Sequence, residues 1–179
     1  PYGVSDFQTM VEQNIYYVDK TMYIPELEKQ ARYLIFIRPR RFGKSIFLGM
    51  LHAYYDIRTK HKFQQWFGNL WIGKHPTPLQ GRYQVMHLDF SQVGGNIDNL
   101  EEKFNFYMGV QLDGFVRDYA EFYSDELRRK VNATQDAGGK LALIQSEAKV
   151  KEYPLYLIID EYDNFTNTVL NEQGEKVYW

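Results

Sequence analysis

Cysteine is absent from this chain of 179 residues. Its absence excludes disulfide bonds, thiol nucleophiles and cysteine-ligated metal sites, and it is typical of the reducing cytoplasm, where we expect the protein to reside. The four histidines show no metal-ligand spacing, so we expect no zinc site. No apolar run approaches 18 residues and no signal-peptide pattern is found, which predicts that the chain does not span a membrane.

An excess of charge of one sign is also missing. The chain carries 21 basic and 23 acidic residues, for a net charge of −2. Such a balance gives no global attraction to nucleic acid or to anionic membranes, and no direct nucleic-acid binding is evident. Hydrophobic residues make up 44% of the chain and charged residues 25%, which is a globular composition, and the length suits one domain of ordinary size.

What the sequence does contain is a basic loop with a Gly-Lys-Ser end at residues 38–45. An apolar run at 33–37 predicts a core strand before it, and a run at 46–51 predicts a helix after it. Strand, Gly-Lys-Ser loop and helix form the layout of a P-loop, in which phosphate oxygens bind the amides at the positive end of the helix dipole. The candidate nucleotide-binding residues are Arg38, Pro39, Arg40, Arg41, Phe42, Gly43, Lys44, Ser45 and Ile46.

Three of these residues have specific expected roles. Gly43 lets the backbone approach an anion, Lys44 reaches the β- and γ-phosphates, and the Ser45 hydroxyl holds Mg²⁺. The usual pattern has glycine at the position of Arg38, so the loop taken alone is also compatible with an ordinary strand-to-helix turn that carries solvated basic side chains. Each arginine of the loop either binds a phosphate or pairs with a nearby acid.

A second apolar run, at 153–159, ends in the adjacent acids Asp160 and Glu161. It predicts a buried parallel strand with a functional carboxyl end, because ligands of open α/β sheets bind beyond that end. This is typical of a Walker B motif, in which Asp160 holds the Mg²⁺ shell through water and Glu161 orients the attacking water. The catalytic candidates are therefore Glu161 and Lys44, and the metal candidates are Ser45 and Asp160.

The alternative for the second run is a strand that leads into a helix with an acidic first turn. The two motifs, in this order and about 115 residues apart, favour a nucleotide-binding protein. The loop after residue 37 and the two acids are expected at the same edge of one sheet. Residues ahead of the first strand, such as Tyr17, Asp19 and Lys20, are candidates to line a base pocket.

Two further segments complete the predicted fold. Residues 83–90 predict another core strand, and Asp89 near its end belongs either to the outer shell of the site or to the cap of the next turn. Apolar residues spaced by three and four from 97 to 123 predict a long amphipathic helix. The elements together predict an α/β fold, a mostly parallel sheet with helices on both faces.

The chain resembles the AAA-ATPase-like domain family in separate runs that occur in the family's order. The resemblance implies a three-layer P-loop NTPase that binds ATP and Mg²⁺ through Lys44, Ser45 and Asp160. Family members share the arginine in place of the first glycine, so Arg38 fits their pattern. Similar proteins often carry a C-terminal nuclease-like domain of the restriction-endonuclease class. The matching runs are 2–7, 17–21, 38–45, 72–77, 88–91 and 159–165.

The resemblance also gives an expected organisation. Residues 1–31 would form a helical lead-in and 32–179 the nucleotide-binding core of the N-terminal part of one P-loop domain. Related ATPases have a further central strand after Walker B, and only 18 residues follow Glu161, so we expect truncation at the C-terminus. The leading hypothesis is ATP hydrolysis that drives or switches an effector domain. The alternatives are a nucleotide-binding switch that does not hydrolyse ATP and an accessory ATPase of a DNA-processing nuclease.

Overall fold

The computed structural model describes residues 6–30, 33–37, 42–93 and 99–163, except for the side chain of Gln92. These residues contain both helices and strands, as the sequence predicts. The helices are α1 (Phe7–Glu12), α2 (Ile24–Glu28), α3 (Lys44–Tyr55), α4 (Phe63–Phe67), α5 (Trp71–Lys74), α6 (Leu100–Asp118), α7 (Asp125–Ala133) and α8 (Ala137–Val150). The strands are β1 (Gln84–Asp89) and β2 (Leu155–Asp160), and short 3₁₀ turns cover Thr21–Tyr23, Ile57–Lys62, Phe90–Gln92 and Ala120–Phe122.

The two strands pair in a small parallel sheet. Parallel pairing requires a long crossover connection, and the helices α6, α7 and α8 supply it. The α/β character is therefore present in the described residues. The larger, three-layer arrangement implied by the resemblance stays a prediction.

Several helices begin where a polar side chain caps the first turn. The carboxylate of Asp6 accepts a hydrogen bond from the amide of Thr9 at 2.8 Å, at the start of α1. The hydroxyl of Ser124 accepts from the amide of Leu127 at 3.2 Å, at the start of α7. Asp136 caps α8 in the same way. These caps satisfy amides that the helices themselves leave without partners.

The chain divides into two compact units, residues 1–85 and residues 86–179. An aromatic cluster forms the core of the first unit. Phe67 stacks on Phe7 with 5.1 Å between ring centroids and contacts Tyr54 edge-on at 5.6 Å, and all three side chains are fully buried. Because α1 also packs on α3, the first helix shares a core with the helix that follows the Gly-Lys-Ser loop.

The carboxylate of Asp56 organises the end of α3. It is 1% exposed, accepts hydrogen bonds from the Arg58 amide and guanidinium, and lies 3.2 Å from His52 Nε2. Its backbone forms an isolated parallel bridge with Tyr83. Burial by itself would raise the pKa of Asp56, but the hydrogen bonds from His52 and Arg58 outweigh it and lower the pKa from 3.8 to about 2.

This pKa shift predicts an acid-sensitive contribution to stability. Because the folded pKa lies below the unfolded value, Asp56 stabilises the fold above about pH 4 and loses that effect as the pH falls toward 2. The contribution should be about 2 kcal/mol. Urea unfolding of the wild type and of Asp56→Asn between pH 2 and about 6 measures it, and the variant's stability should fall less steeply. Parallel pH profiles for the two proteins would contradict the assignment.

In the second unit, α6, α7 and α8 pack against one another. Lys140 of α8 is buried, and its Nζ donates to both carboxylate oxygens of Asp113 on α6 at 2.5 and 2.6 Å. The amide of Ala137 donates to Asn105 Oδ1 at 2.9 Å and joins the same two helices. A buried ammonium group is costly without a partner, so this pair ties α8 to α6 in one register.

The core strand expected at 33–37 is not found. The structure describes these residues and assigns no strand to them, and Tyr33, Ile35 and Ile37 are 84%, 78% and 79% exposed. An apolar run becomes a core strand only when another strand lies beside it, and the two described strands pair with each other. The prediction of a buried strand at 33–37 is therefore wrong for this structure.

The strand β2 is confirmed, but it is buried on only one face. Ile158 and Asp160 are 3% and 7% exposed, whereas Leu157 and Ile159 are 56% and 39% exposed. Successive side chains of a strand point to opposite faces, so the continuous apolar run is covered on one side among the described residues. The expected helix at 97–123 is also shorter, because it ends at Asp118 and a 3₁₀ turn follows at Ala120–Phe122. No helix in the described ranges is long and apolar enough to cross a membrane.

Candidate functional site

The Gly-Lys-Ser loop leads directly into α3, which starts at Lys44. Gly43 is the N-cap residue and has left-handed backbone angles, φ 75° and ψ 29°. Glycine adopts this conformation without steric cost, whereas a residue with a Cβ is strained there. Glycine has no side chain with which to cap the helix, so within the described residues this start lacks a side-chain cap, as do those of α2, α4 and α6. The first amides of an α-helix have no partner inside the helix, and in a P-loop they bind an anion.

The two polar side chains after Gly43 are partly exposed. Within the described part of the chain, Lys44 makes no ion pair. A lysine at a helix N-terminus is placed unfavourably, because it adds positive charge to the positive end of the dipole. An anion bound at the helix start would compensate both charges. The neighbouring Ser45 hydroxyl is an oxygen donor of the kind that Mg²⁺ prefers.

The remaining loop residues are placed as follows. Phe42 is 62% exposed and Ile46 is partly exposed. The predicted phosphate-binding residues Arg38, Pro39, Arg40 and Arg41 lie outside the described residues, so their roles stay predictions. The described residues thus include the Gly-Lys-Ser part of the motif, whereas the roles of the arginines rest on the sequence.

A residue from an earlier part of the chain also lies at this loop. A Cβ built on Gly43 would lie 3.8 Å from Nζ of Lys20. Sequence reasoning named Lys20 only as a candidate for a base pocket, together with Tyr17 and Asp19. Its position beside the P-loop glycine depends on a contact across more than twenty residues, and no local sequence pattern predicts such a contact.

Asp19 and Tyr17 both make contacts within the fold, and their place in a base pocket stays a prediction. Asp19 Oδ1 accepts from the amide and hydroxyl of Thr21, and Oδ2 accepts from the amide of Trp71 at 2.7 Å. The carboxylate is therefore used to hold the start of α5. Tyr17 packs edge-on against Phe7, and burial, followed by the nearby Asp19 charge, raises the pKa of its hydroxyl to about 12.

The acidic motif lies at the end of β2. Asp160 is buried, and its Oδ1 accepts a hydrogen bond from the amide of Glu161 at 2.9 Å. Glu161 has a left-handed backbone, with φ 52°, and a partly exposed side chain. This conformation costs a non-glycine residue about 1–2 kcal/mol. The two acids therefore differ in environment, with Asp160 buried and Glu161 partly exposed.

Asp89 ends the neighbouring strand and serves as a cap. Its Oδ1 accepts from the amide of Ser91 at 2.9 Å, and the Tyr107 hydroxyl bonds to the amide and carbonyl of Asp89. Because β1 and β2 are parallel neighbours, Asp89 and Asp160 end their strands at the same edge. Of the two roles left open for Asp89, the structure shows the capping role. Among the described residues, no three histidine or acidic side chains converge as a metal site.

The residues predicted to bind the nucleotide occur in both units. Lys44 and Ser45 belong to the unit of residues 1–85, and Asp160 and Glu161 belong to the unit of residues 86–179. The first unit carries helix-start amides, a lysine and a hydroxyl, and the second carries two carboxylates. These are the kinds of group that Mg-ATP requires.

Comparison with known proteins identifies the family. A family model described as a predicted AAA-ATPase matches residues 1–178. The chain belongs to the AAA-ATPase-like family. Membership in the AAA-ATPase-like family supports nucleotide binding and ATPase activity in general terms. It also places the Gly-Lys-Ser loop and the acidic strand end within one family match.

The AAA-ATPase-like chain also has a relative among curated proteins. It is 44% identical over 52 residues to an "Uncharacterized protein in vnfD 5'region" of Azotobacter chroococcum mcd 1. The aligned stretch covers 28% of this chain and 10% of that protein. No solved structure matches the chain.

Proposed function

We propose that this chain is the nucleotide-binding part of an ATPase and that it binds Mg-ATP at the Gly-Lys-Ser loop. The observation that carries the proposal is the start of α3. A left-handed Gly43 precedes a helix of 12 residues, and within the described part of the chain this helix start has no side-chain cap and Lys44 has no acidic partner. Without an anion this arrangement leaves amides and an ammonium group uncompensated, and a phosphate compensates both.

The proposed roles follow from the chemistry of each group. The α3 amides and Lys44 hold the phosphate chain and stabilise the charge that develops on it during transfer. Ser45 and Asp160 supply oxygen donors for Mg²⁺, which neutralises phosphate charge when it is bound. Glu161 orients the attacking water and accepts its proton. Arg38, Arg40 and Arg41 add bidentate phosphate donors from the same loop.

The wider role of the ATPase is also proposed. Residues 1–31 would form a helical lead-in to a nucleotide-binding core at 32–179. Hydrolysis would drive or switch an effector domain, and the family resemblance suggests a nuclease-like domain for that position. A switch that binds ATP without turnover would show nucleotide-dependent changes but no phosphate release, so single-turnover assays separate the two possibilities.

Calorimetric titration of Mg-ATP tests the binding proposal. Lys44→Ala should weaken Mg-ATP binding at least about tenfold, because a hydrogen bond to a charged group contributes about 1.5–3 kcal/mol. Lys74→Ala is the matched control, since it removes an exposed lysine from the same unit and should leave the affinity unchanged. Thermal unfolding of each protein verifies that it is folded. A folded wild type without affinity for Mg-ATP, or equal affinity in Lys44→Ala, would contradict the proposal.

A further inference from the structure

The side chain of Lys20 makes no hydrogen bond to another described residue, in contrast to those of its two neighbours in the chain. Its neighbours Asp19 and Thr21 bond to each other and to the first amides of α5, with Thr21 Oγ1 accepting from Ile72 at 3.1 Å. These bonds tie the turn to a second element at both flanking positions. The backbone of Lys20 is thereby fixed, and its carbonyl accepts from the amide of Tyr23.

The fixed turn directs the Lys20 ammonium group to the Gly-Lys-Ser loop. A Cβ on Gly43 would lie 3.8 Å from Lys20 Nζ, which is ordinary van der Waals contact. Lys20 makes no ion pair within the described residues. Lys20 is only partly exposed.

Positive charge therefore accumulates at one place. Lys44 is the first residue of α3, directly after Gly43, and the start of α3 contributes the positive end of its dipole. Adding Lys20 to this set is unfavourable in the absence of an anion, because like charges at close range repel. Asp19 and Thr21 thus hold Lys20 close to other positive charges, and a bound polyanion would offset the repulsion between them.

We propose that Lys20 is a second lysine of the nucleotide site and binds the phosphate chain, not the base. This inference rests on the proposed function of the Gly-Lys-Ser loop. The three residues at 19–21 then have two different roles. Asp19 and Thr21 anchor the turn, and Lys20 contacts the ligand. Lys20 and Lys44 then reach the phosphates from two different segments of the same unit.

The test compares Lys20→Met with Lys29→Met by titration of Mg-ATP, Mg-GTP and magnesium tripolyphosphate. Methionine keeps the apolar stem and removes the charge. Lys20→Met should weaken the binding of Mg-ATP and of tripolyphosphate by the same factor, about tenfold or more. The ratio of ATP to GTP affinity should not change, and the salt dependence of binding should become shallower. Lys29 is 67% exposed and should show none of these effects.

The outcomes separate this inference from the proposed function. If Lys44→Ala weakens Mg-ATP binding and Lys20→Met does not, the P-loop proposal stands and the role of Lys20 is refuted. If Lys20→Met changes the ATP to GTP ratio and leaves tripolyphosphate binding intact, Lys20 belongs to a base pocket. If the folded wild type binds none of the three probes, both proposals fail. Lys20→Arg keeps the charge and should retain most of the affinity, which a purely structural role does not require.

Discussion

Replacing Glu161 with glutamine should leave Mg-ATP binding intact and slow ATP hydrolysis by about 10²–10⁴-fold. Glutamine has nearly the same shape as glutamate but cannot accept a proton from the attacking water. The hydrogen bond between Asp160 Oδ1 and the amide of residue 161 uses the backbone, so it is kept in the variant. We therefore expect the variant to lose catalytic activity while its local structure is unchanged.

A second glutamate in the chain provides a matched control for this experiment. Glu152 also has a left-handed backbone, with φ 58°, and its side chain is exposed. Glu152→Gln makes the same chemical change in the same backbone conformation, at a position with no proposed role in hydrolysis. If the substitution perturbs a left-handed turn, both variants should show that perturbation. The loss of turnover should appear only in Glu161→Gln.

The measurement is phosphate release by each protein in single-turnover and steady-state assays. Titration of Mg-ATP into each variant keeps binding and chemistry apart. Equal turnover in Glu161→Gln and wild type would falsify the proposed role of Glu161. Loss of Mg-ATP binding in this variant would assign the residue to the binding site or to local structure instead.

The control also shows how far backbone strain supports a catalytic role. Asn14, Glu152 and Glu161 all have positive φ angles, and only Glu161 follows a strand that ends in a buried aspartate. Strained residues are enriched at functional sites, but helix and turn ends use the same conformation. The strain at Glu161 therefore supports the proposal only together with its place after Asp160.

Features that depend on a few neighbouring residues were predictable from the sequence. The helix after Gly43 begins at Lys44, and the strands at Gln84–Asp89 and Leu155–Asp160 lie where apolar runs predict them. Each of these depends on a local signal, a glycine before a helix or an apolar run bounded by polar residues. The capping role of Asp89, one of two considered, follows from the same local chemistry.

Features that depend on distant parts of the chain were not predictable in this way. The apolar run at 33–37 has the composition of a strand, but hydrogen bonding of a strand requires a neighbour that local sequence does not specify. The one-sided burial of β2 has the same origin, because it depends on what covers each face of the sheet. The position of Lys20 Nζ near Gly43 likewise depends on distant residues, because the turn of Lys20 is anchored to α5.

Replacing Phe67 with alanine should lower the free energy of unfolding by about 3–5 kcal/mol. Phe67 is fully buried and lies between three other aromatic rings, with stacked contacts to Phe7 and Phe63 and an edge contact to Tyr54. Removing the ring takes away its transfer free energy and leaves a cavity that rigid aromatic neighbours fill poorly. Phe67→Leu retains most of the volume and should cost less.

Denaturant unfolding measures this loss, and Phe106→Ala is the control. Phe106 is 73% exposed, so the same deletion should change stability by no more than about 0.5 kcal/mol. Similar losses in both variants would mean that the aromatic cluster is not the core of its unit.

Phe67→Ala also tests whether the aromatic core supports the proposed nucleotide site. Because Phe67 contacts Tyr54 of α3, weakening the cluster loosens the helix whose first residue is Lys44. A ligand that binds only the folded state stabilises it by about 2.7 kcal/mol at 100 times its dissociation constant. Mg-ATP should therefore raise the unfolding midpoint of Phe67→Ala as it does for the wild type. At the same Mg-ATP concentration, Lys44→Ala should gain much less, because only its anion site is altered while its aromatic core is intact.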